Sequence, residues 1–233
     1  KIKNIFNGNS KIVTVTIADG ITEMGDYVFS TCDNLTSVKL PSTITTIPKS
    51  AFAYCPKLTN VTVPDSVTRI EEKAFYCCDA LSTVSLPKKL DYLGKQAFYA
   101  CKSLKSVTVP DGVKTIEDQT FANSMYLQKV TLPATVTSIG SGAFLQCLSL
   151  SSVNLPANLT KILDNAFYYC DLLDNITIPS KVVSIGDSAF SNCASLSRIN
   201  IPASLTLLYE NAFYRCGNIA SVTVASGNTA FCS

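Results

Sequence analysis

Residues 42–64 read STITTIPKSAFAYCPKLTNVTVP, and these 23 residues decide the fold. Val61 and Val63 alternate with Asn60 and Thr62, the period-two pattern of a short strand with one face buried. Pro64 ends that strand, because proline has no N–H to give a continuing ladder. Ile44 and Ile47 point inward from a short extended or turn segment. Ala51, Phe52, Cys55 and Leu58 follow at offsets 0, 1, 4 and 7, which matches one face of a short helix. The position of Lys49 often carries a helix-capping oxygen in equivalent places: Asp26, Asp118, Ser141, Asp164 and Asp187.

Working outward, the same stretch recurs along the whole chain. Phe6, Phe29, Phe52, Phe75, Phe98, Phe121, Phe144, Phe167, Phe190 and Phe213 lie 23 residues apart without one insertion. Prolines repeat from Pro41 to Pro202 and leucines from Leu35 to Leu196 with the same period. Cys32, Cys55, Cys78 and Cys101 form one run and Cys147, Cys170, Cys193 and Cys216 another, with Ser124 in the place between them. Constant length with variable filling means that each unit meets its neighbours in the same way, as a solenoid requires. Roughly eight of the 23 positions face inward, too many for one unit to bury alone. The pattern predicts an α/β solenoid: a right-handed superhelix of about ten 23-residue turns. A parallel sheet about 45 Å long lines its concave face, with short helices on the convex face.

Composition narrows the function classes. The chain has 233 residues, 47% hydrophobic and 15% charged, with a formal net charge of +2. That excludes intrinsic disorder and gives no basic excess for nucleic acid. No apolar run approaches the roughly 18 residues of a membrane span, so no membrane insertion is expected. Histidine is absent, which removes the commonest general base and the commonest metal ligand together. The cysteines show no Cys-x2–4-Cys pair, so no metal site is expected and no cofactor is implied. In-register thiols have parallel Cβ vectors, unsuited to disulfides, and are expected to be buried and reduced; Cys77 and Cys232 lie outside the column. Glu71-Glu72 and Glu117-Asp118 read as solvated or dipole-favoured residues of capping turns. The chain is therefore expected not to be an enzyme. Asn-x-Ser/Thr sequons at Asn34, Asn60, Asn158 and Asn175 carry little information.

Two surfaces remain as candidates for binding. Outward strand positions read Lys39, Thr62, Ser85, Thr108, Thr131, Asn154, Thr177 and Asn200, beside a second column that includes Asn60, Thr83, Ser106 and Lys129. This hydroxyl- and amide-rich concave face suits an extended protein or a glycan ligand; alternatively it only keeps an exposed sheet soluble. The other surface is a convex tyrosine set: Tyr54, Tyr76, Tyr99, Tyr168, Tyr169 and Tyr214, either a contact surface or rings packed over neighbouring turns.

The stretch VTSIGSGAFLQCLSL, residues 136–150, carries a family resemblance, and nearly every unit repeats it. It resembles the BspA-like leucine-rich repeat family, also called the Treponema pallidum type. The resemblance implies a secreted or cell-surface location and a role in adhesion and protein binding rather than catalysis. A structural spacer with no ligand of its own is the competing reading. The repeat array is expected over 1–224, with 1–17 a degenerate first turn in which Asn9 stands where cysteine belongs. Residues 225–233 abandon the pattern and read as the start of a following non-repeat segment. Lys1 is not an initiator, so the sequence reads as a segment of a larger chain.

Overall fold

A computed structural model describes residues 5–228 and residue 230. They form a parallel β-solenoid of about nine 23-residue coils with the leucine-rich-repeat fold. One side of each coil carries the strands Thr14–Thr16, Ser37–Lys39, Asn60–Thr62, Thr83–Ser85, Ser106–Thr108, Lys129–Thr131, Ser152–Val153, Arg198–Ile201 and Ser221–Val224, a ladder that pairs in three runs, broken after Thr83–Ser85 and after Ser152–Val153. Asn175 joins it by a single parallel bridge to Arg198. A second ladder, on the next side of each coil, comprises Thr46–Ile47, Arg69–Ile70, Tyr92–Leu93, Thr115–Ile116, Ser138–Ile139, Lys161–Ile162, Ser184–Ile185 and Leu207–Leu208, pairing in two runs broken after Tyr92–Leu93. Pairing is in register throughout, each residue opposite its equivalent one period on, as in Thr14↔Ser37 and Ile139↔Ile162. The second ladder occupies the segment whose Ile44 and Ile47 were read as extended or turn.

The third side of the coil corrects the sequence reading. Among the described residues there is no helix. Two columns of this segment sit in the left-handed backbone region, four residues apart, as at Ser50 (φ 51°) and Tyr54 (φ 58°) or Asn165 (φ 57°) and Tyr169 (φ 57°). No α-helix survives a left-handed residue every turn. Instead, alternate N–H groups reach the next coil: Tyr27 to the Lys49 carbonyl, Phe29 to Ala51 and Thr31 to Ala53, at 2.8–2.9 Å. The groups between close local turns, as in Ser30 to Tyr27 and Ala53 to Ser50. The physical reason is width. A helix with its side chains is about 10–12 Å across, whereas stacked strands are about 4.7–4.9 Å apart. A flat train of turns stacks at the strand spacing, and it still presents residues at offsets 0, 1, 4 and 7 to the interior. Without helices no side of the coil is bulkier than the strands, so the expected convex helical face is a turn face, set against the strand face.

Inside, the phenylalanines from Phe29 to Phe190 are almost fully buried. They stack face to face with centroids 5.1–5.8 Å apart, continuing to half-buried Phe6 and Phe213 at the ends. Beside them, each column thiol donates to the carbonyl of the preceding coil's phenylalanine: Cys55 to Phe29 at 3.1 Å and Cys147 to Phe121 at 3.2 Å. Ser124 makes the same bond to Phe98 at 3.0 Å, which explains a hydroxyl in a thiol column. Burial pushes the Cys55 thiol up to about 12 and raises Cys78, Cys101, Cys147 and Cys170 further. All nine cysteines of the described residues are unbridged; Cys232 and Phe231 lie outside the described residues. Past the last strand, residues 225–228 still pack on the array. Asn228 is buried, its amide donating to the carbonyls of Pro202 and Leu205 at 2.7 and 3.0 Å.

Two outcomes test this core. Phe121→Ala, mid-array, removes a ring stacked on both sides and should lower the unfolding free energy by about 3–5 kcal/mol in chemical denaturation. A loss under about 1 kcal/mol contradicts the stacked core. In thiol titration at neutral pH, half-buried Cys77 should react first, and the seven column thiols from Cys32 to Cys193 only on unfolding, because they are buried and their thiolates disfavoured.

Candidate interaction surfaces

On the strand face, alternation sends valines inward and short polar residues outward. Lys39, Thr62, Ser85, Thr108, Thr131, Asn154 and Thr177 are all exposed, as are Asn60, Thr83, Ser106 and Lys129 beside them. Parallel register sets equivalent residues directly opposite one another, Lys129 against Ser106 and Thr131 against Thr108. The result is two adjoining rows of hydroxyls and amides on a backbone held by hydrogen bonds. A groove of about 670 Å³ crosses this face, lined by Val84, Ser85, Leu86, Lys88, Ser106, Thr108, Val109, Pro110 and Asp111.

Asn200 does not belong to this set. It is half-buried, and its side-chain amide is committed to the neighbouring coil. Its Oδ1 accepts from the Ile178 N–H and its Nδ2 donates to the Ile178 carbonyl, both at 2.9 Å. The side chain takes the place of a ladder pair where the strand pairing is reduced to the single Asn175–Arg198 bridge. Its role is structural, and its two bonds explain why an amide rather than threonine fits there.

On the turn face, the six sequence-selected tyrosines do not converge. Tyr54, Tyr76 and Tyr99 form one aromatic run, Tyr54 edge-on to Tyr76 at 5.2 Å and Tyr76 stacked on Tyr99 at 4.7 Å. Burial, with the charges of neighbouring groups, pushes the Tyr76 hydroxyl up to about 12. Tyr168 and Tyr169 meet each other edge-on at 4.7 Å in a separate place, and Tyr214 lies exposed at the end with Arg215 over its ring. The sequence reading passed over Tyr126, which is 62% exposed, because it lies outside the residues that follow the column phenylalanine.

The positions read as helix caps take another role. With no helix to cap, they bond across coils. Lys49 pairs with Glu72 and Lys95 with Asp118, each at 2.8 Å. The Asp118 carboxylate also accepts the Ser141 N–H at 3.0 Å, and Asp164 accepts the Asp187 N–H at 2.9 Å. Gly140 leaves room for this: a Cβ there would stand 2.8 Å from Asp118 Oδ1. These pairs are largely solvated, so they add little to stability. They line an open depression of about 420 Å³ that includes Glu72, Gln96, Gln119 and Ser141. Glu117 faces another open groove, of about 400 Å³, with Arg69, Tyr92 and Lys114; burial first, and then the charge of Asp118, holds its carboxyl above the usual range. Among the described residues, no three or more Cys, Asp or Glu side chains gather as a metal site would require. No helix there is long and apolar enough to cross a membrane.

Comparison with known proteins places this geometry. The chain resembles a leucine-rich cell-surface protein of Faecalibacterium prausnitzii at 30% identity, with a TM-score of 0.65. The similarity covers 99% of this chain and 64% of that one, so the chain spans less than two thirds of that relative. The leucine-rich repeat protein of T. pallidum is 27% identical with a TM-score of 0.59, over 64% of this chain and 71% of that one. The pneumococcal vaccine antigen PcpA shares the fold at 19% identity and a TM-score of 0.63, covering 94% of this chain and 58% of its own. No curated protein matches significantly. The family model for the BspA-type leucine-rich repeat region matches residues 2–128 and 114–233, and no catalytic family is indicated. From the 23-residue period, the parallel ladders and this match over the whole array, the chain belongs to the BspA-type leucine-rich repeat family.

Proposed function

We propose that the array is a non-catalytic adhesion or protein-binding module of a surface or secreted protein, and that it engages its partner through the strand face. The observation that carries this reading is the pair of exposed polar rows from Lys39 to Thr177, set on in-register strands. Short side chains have few rotamers to lose on association, so many weak directional contacts add up. Hydroxyls and amides at a fixed repeat match an extended polypeptide or a glycan better than a small molecule that needs enclosure. Family membership supports a protein-interaction role, and the F. prausnitzii relative is named a cell-surface protein. Asn200, being committed to Ile178, is left out of the proposed site.

Replacing Thr108 and Thr131 together by lysine should leave the melting temperature within a few degrees, because both side chains point to solvent. The same change should reduce capture of partners from host or matrix extracts at least tenfold, by bulk and by charge. Capture that survives these changes but fails in Tyr99→Ala with Tyr168→Ala would move the site to the turn face. An array that captures nothing in either form would leave the spacer role.

A further inference from the structure

Backbone hydrogen bonds between coils repeat with the period of the chain, and at one junction they fail on two sides at once. Counting coils from the first strand, coil 4 begins at Thr83 and coil 5 at Ser106. At most junctions of the strand face a bond of one kind recurs: Thr36 N–H to the Val13 carbonyl, Thr59 to Thr36, Ser82 to Thr59, Gln128 to Lys105. On the second side the series is Thr68 to Thr45, Asp91 to Thr68, Thr137 to Lys114, with a companion series Glu71 to Ile47, Gly94 to Ile70, Gly140 to Ile116. At this seam the counterparts are all absent: Lys105 to Ser82, the residues just before the two strands, and Lys114 to Asp91 and Glu117 to Leu93, between coils 4 and 5. Both ladders are interrupted there: neither Thr83–Ser85 nor Tyr92–Leu93 pairs with the strand that follows it. The strand face has one more interruption, between Ser152–Val153 and Asn175, but there the second ladder runs on through Lys161–Ile162 and Ser184–Ile185.

The turn side of the same junction stays closed. Gln96, Phe98 and Ala100 donate to the carbonyls of Asp118, Thr120 and Ala122 at 2.8–3.0 Å, and Lys95 pairs with Asp118. Phe98 and Phe121 remain stacked, at 5.8 Å. Two strand sides are open and one turn side is shut: that is the layout of a hinge. The 670 Å³ groove on the strand face and the 400 Å³ groove around Gly112 both open along this seam. Val84 and Leu86 are half-buried there, whereas Val61 and Val63, one coil before, are 2% and 4% exposed.

The sequence supplies a cause. At the corner between the two ladders, Thr43, Ser66, Thr135 and Ser204 each donate a hydroxyl to a carbonyl of the preceding coil, at 2.6–3.0 Å. Coil 5 has Gly112 at this position, and a Cβ there would collide with the Leu90 carbonyl oxygen. Lys89, Asn158 and Lys181 also lack the hydroxyl, and at each the second side stays zipped, by Asp91 to Thr68, Thr160 to Thr137 and Val183 to Thr160, so the missing Cβ is the distinguishing feature. It lets coil 5 press on coil 4 at this corner, and the flanking strands part on either side. We propose that the junction between coils 4 and 5 is a hinge set by Gly112, on which two rigid halves of the array change their mutual angle.

Amide hydrogen exchange on the full chain tests this. The N–H groups of Lys105, Lys114 and Glu117 should exchange at least tenfold faster than those of Gln128, Thr137 and Gly140 one coil on. Equal protection would overturn the hinge. A second measurement uses spin labels on cysteines introduced in a Cys77→Ser background, at Thr16 with Ser85 or at Thr62 with Thr131. Each pair is three coils apart, and only the second spans the seam. A broader distance distribution for the second pair supports the hinge, and equal widths refute it. Gly112→Ser, which restores a Cβ and the hydroxyl found at Thr43, Ser66, Thr135 and Ser204, should narrow that distribution to the width of the first pair. If the variant folds and the distribution stays broad, Gly112 is not the determinant.

Discussion

The structure depends on one constraint: a coil of this chain satisfies few of its own backbone groups and must pass the rest to its neighbours. Strands supply this on two sides, and on the third a train of turns does, with Phe29 N–H reaching Ala51 and Phe52 reaching Ala74 at 2.9 Å. Buried donors and acceptors are nearly always paired, so a coil that differed in length would strand its bonds. Hence the period tolerates variation in almost every residue but none in number. The core obeys the same rule. Phenylalanine rings stack on phenylalanine rings, and thiols donate to the carbonyl one coil back, as Cys193 does to Phe167 at 3.2 Å. Among the described residues no buried side-chain nitrogen or oxygen is left without a partner.

Most of this was legible from residue types. The phenylalanine, leucine and proline columns fixed the period and the inward face, and the Val-x-Val alternation placed the strand-face ladder. The helix did not materialise, because offsets of 0, 1, 4 and 7 describe an inward-facing set without saying what backbone carries it. The signal that would have separated a helix from stacked turns is a left-handed backbone, and here it falls on Tyr27, Ser50, Lys73, Gln96 and Asn211. In that column only Gly142, Asn165 and Asn211 are residue types that advertise such a conformation. The cap-like aspartates misled for the same reason. A carboxylate that accepts a backbone N–H serves a neighbouring coil as well as a helix end, and Asp118 and Asp164 do the former.

The candidate surface was legible in part. Period-two alternation identified the exposed rows, since it depends only on which side of the strand a residue occupies. It could not separate Asn154, which is exposed, from Asn200, whose amide replaces a missing ladder pair. That distinction depends on local failure of the ladder, which no single column announces. The tyrosines show the same limit. Their order along the chain suggested one surface, while their stacking divides them into three.

The unbroken 23-residue register also bears on how such a chain changes over generations. Because every point in a coil lies opposite its equivalent in the next, excision or duplication of 23 consecutive residues has no preferred starting place. Whatever the cut, the sequence on one side joins the other in phase, and the new junction inherits the stacking, the thiol bond and the ladders of those it replaces. Few folds let their length be altered so freely, since most must rebuild a core around an insertion. Here an array can be lengthened or shortened by one coil at a time. The reach of the molecule thereby becomes a quantity that recombination adjusts in steps of about 5 Å, separately from the chemistry of its faces.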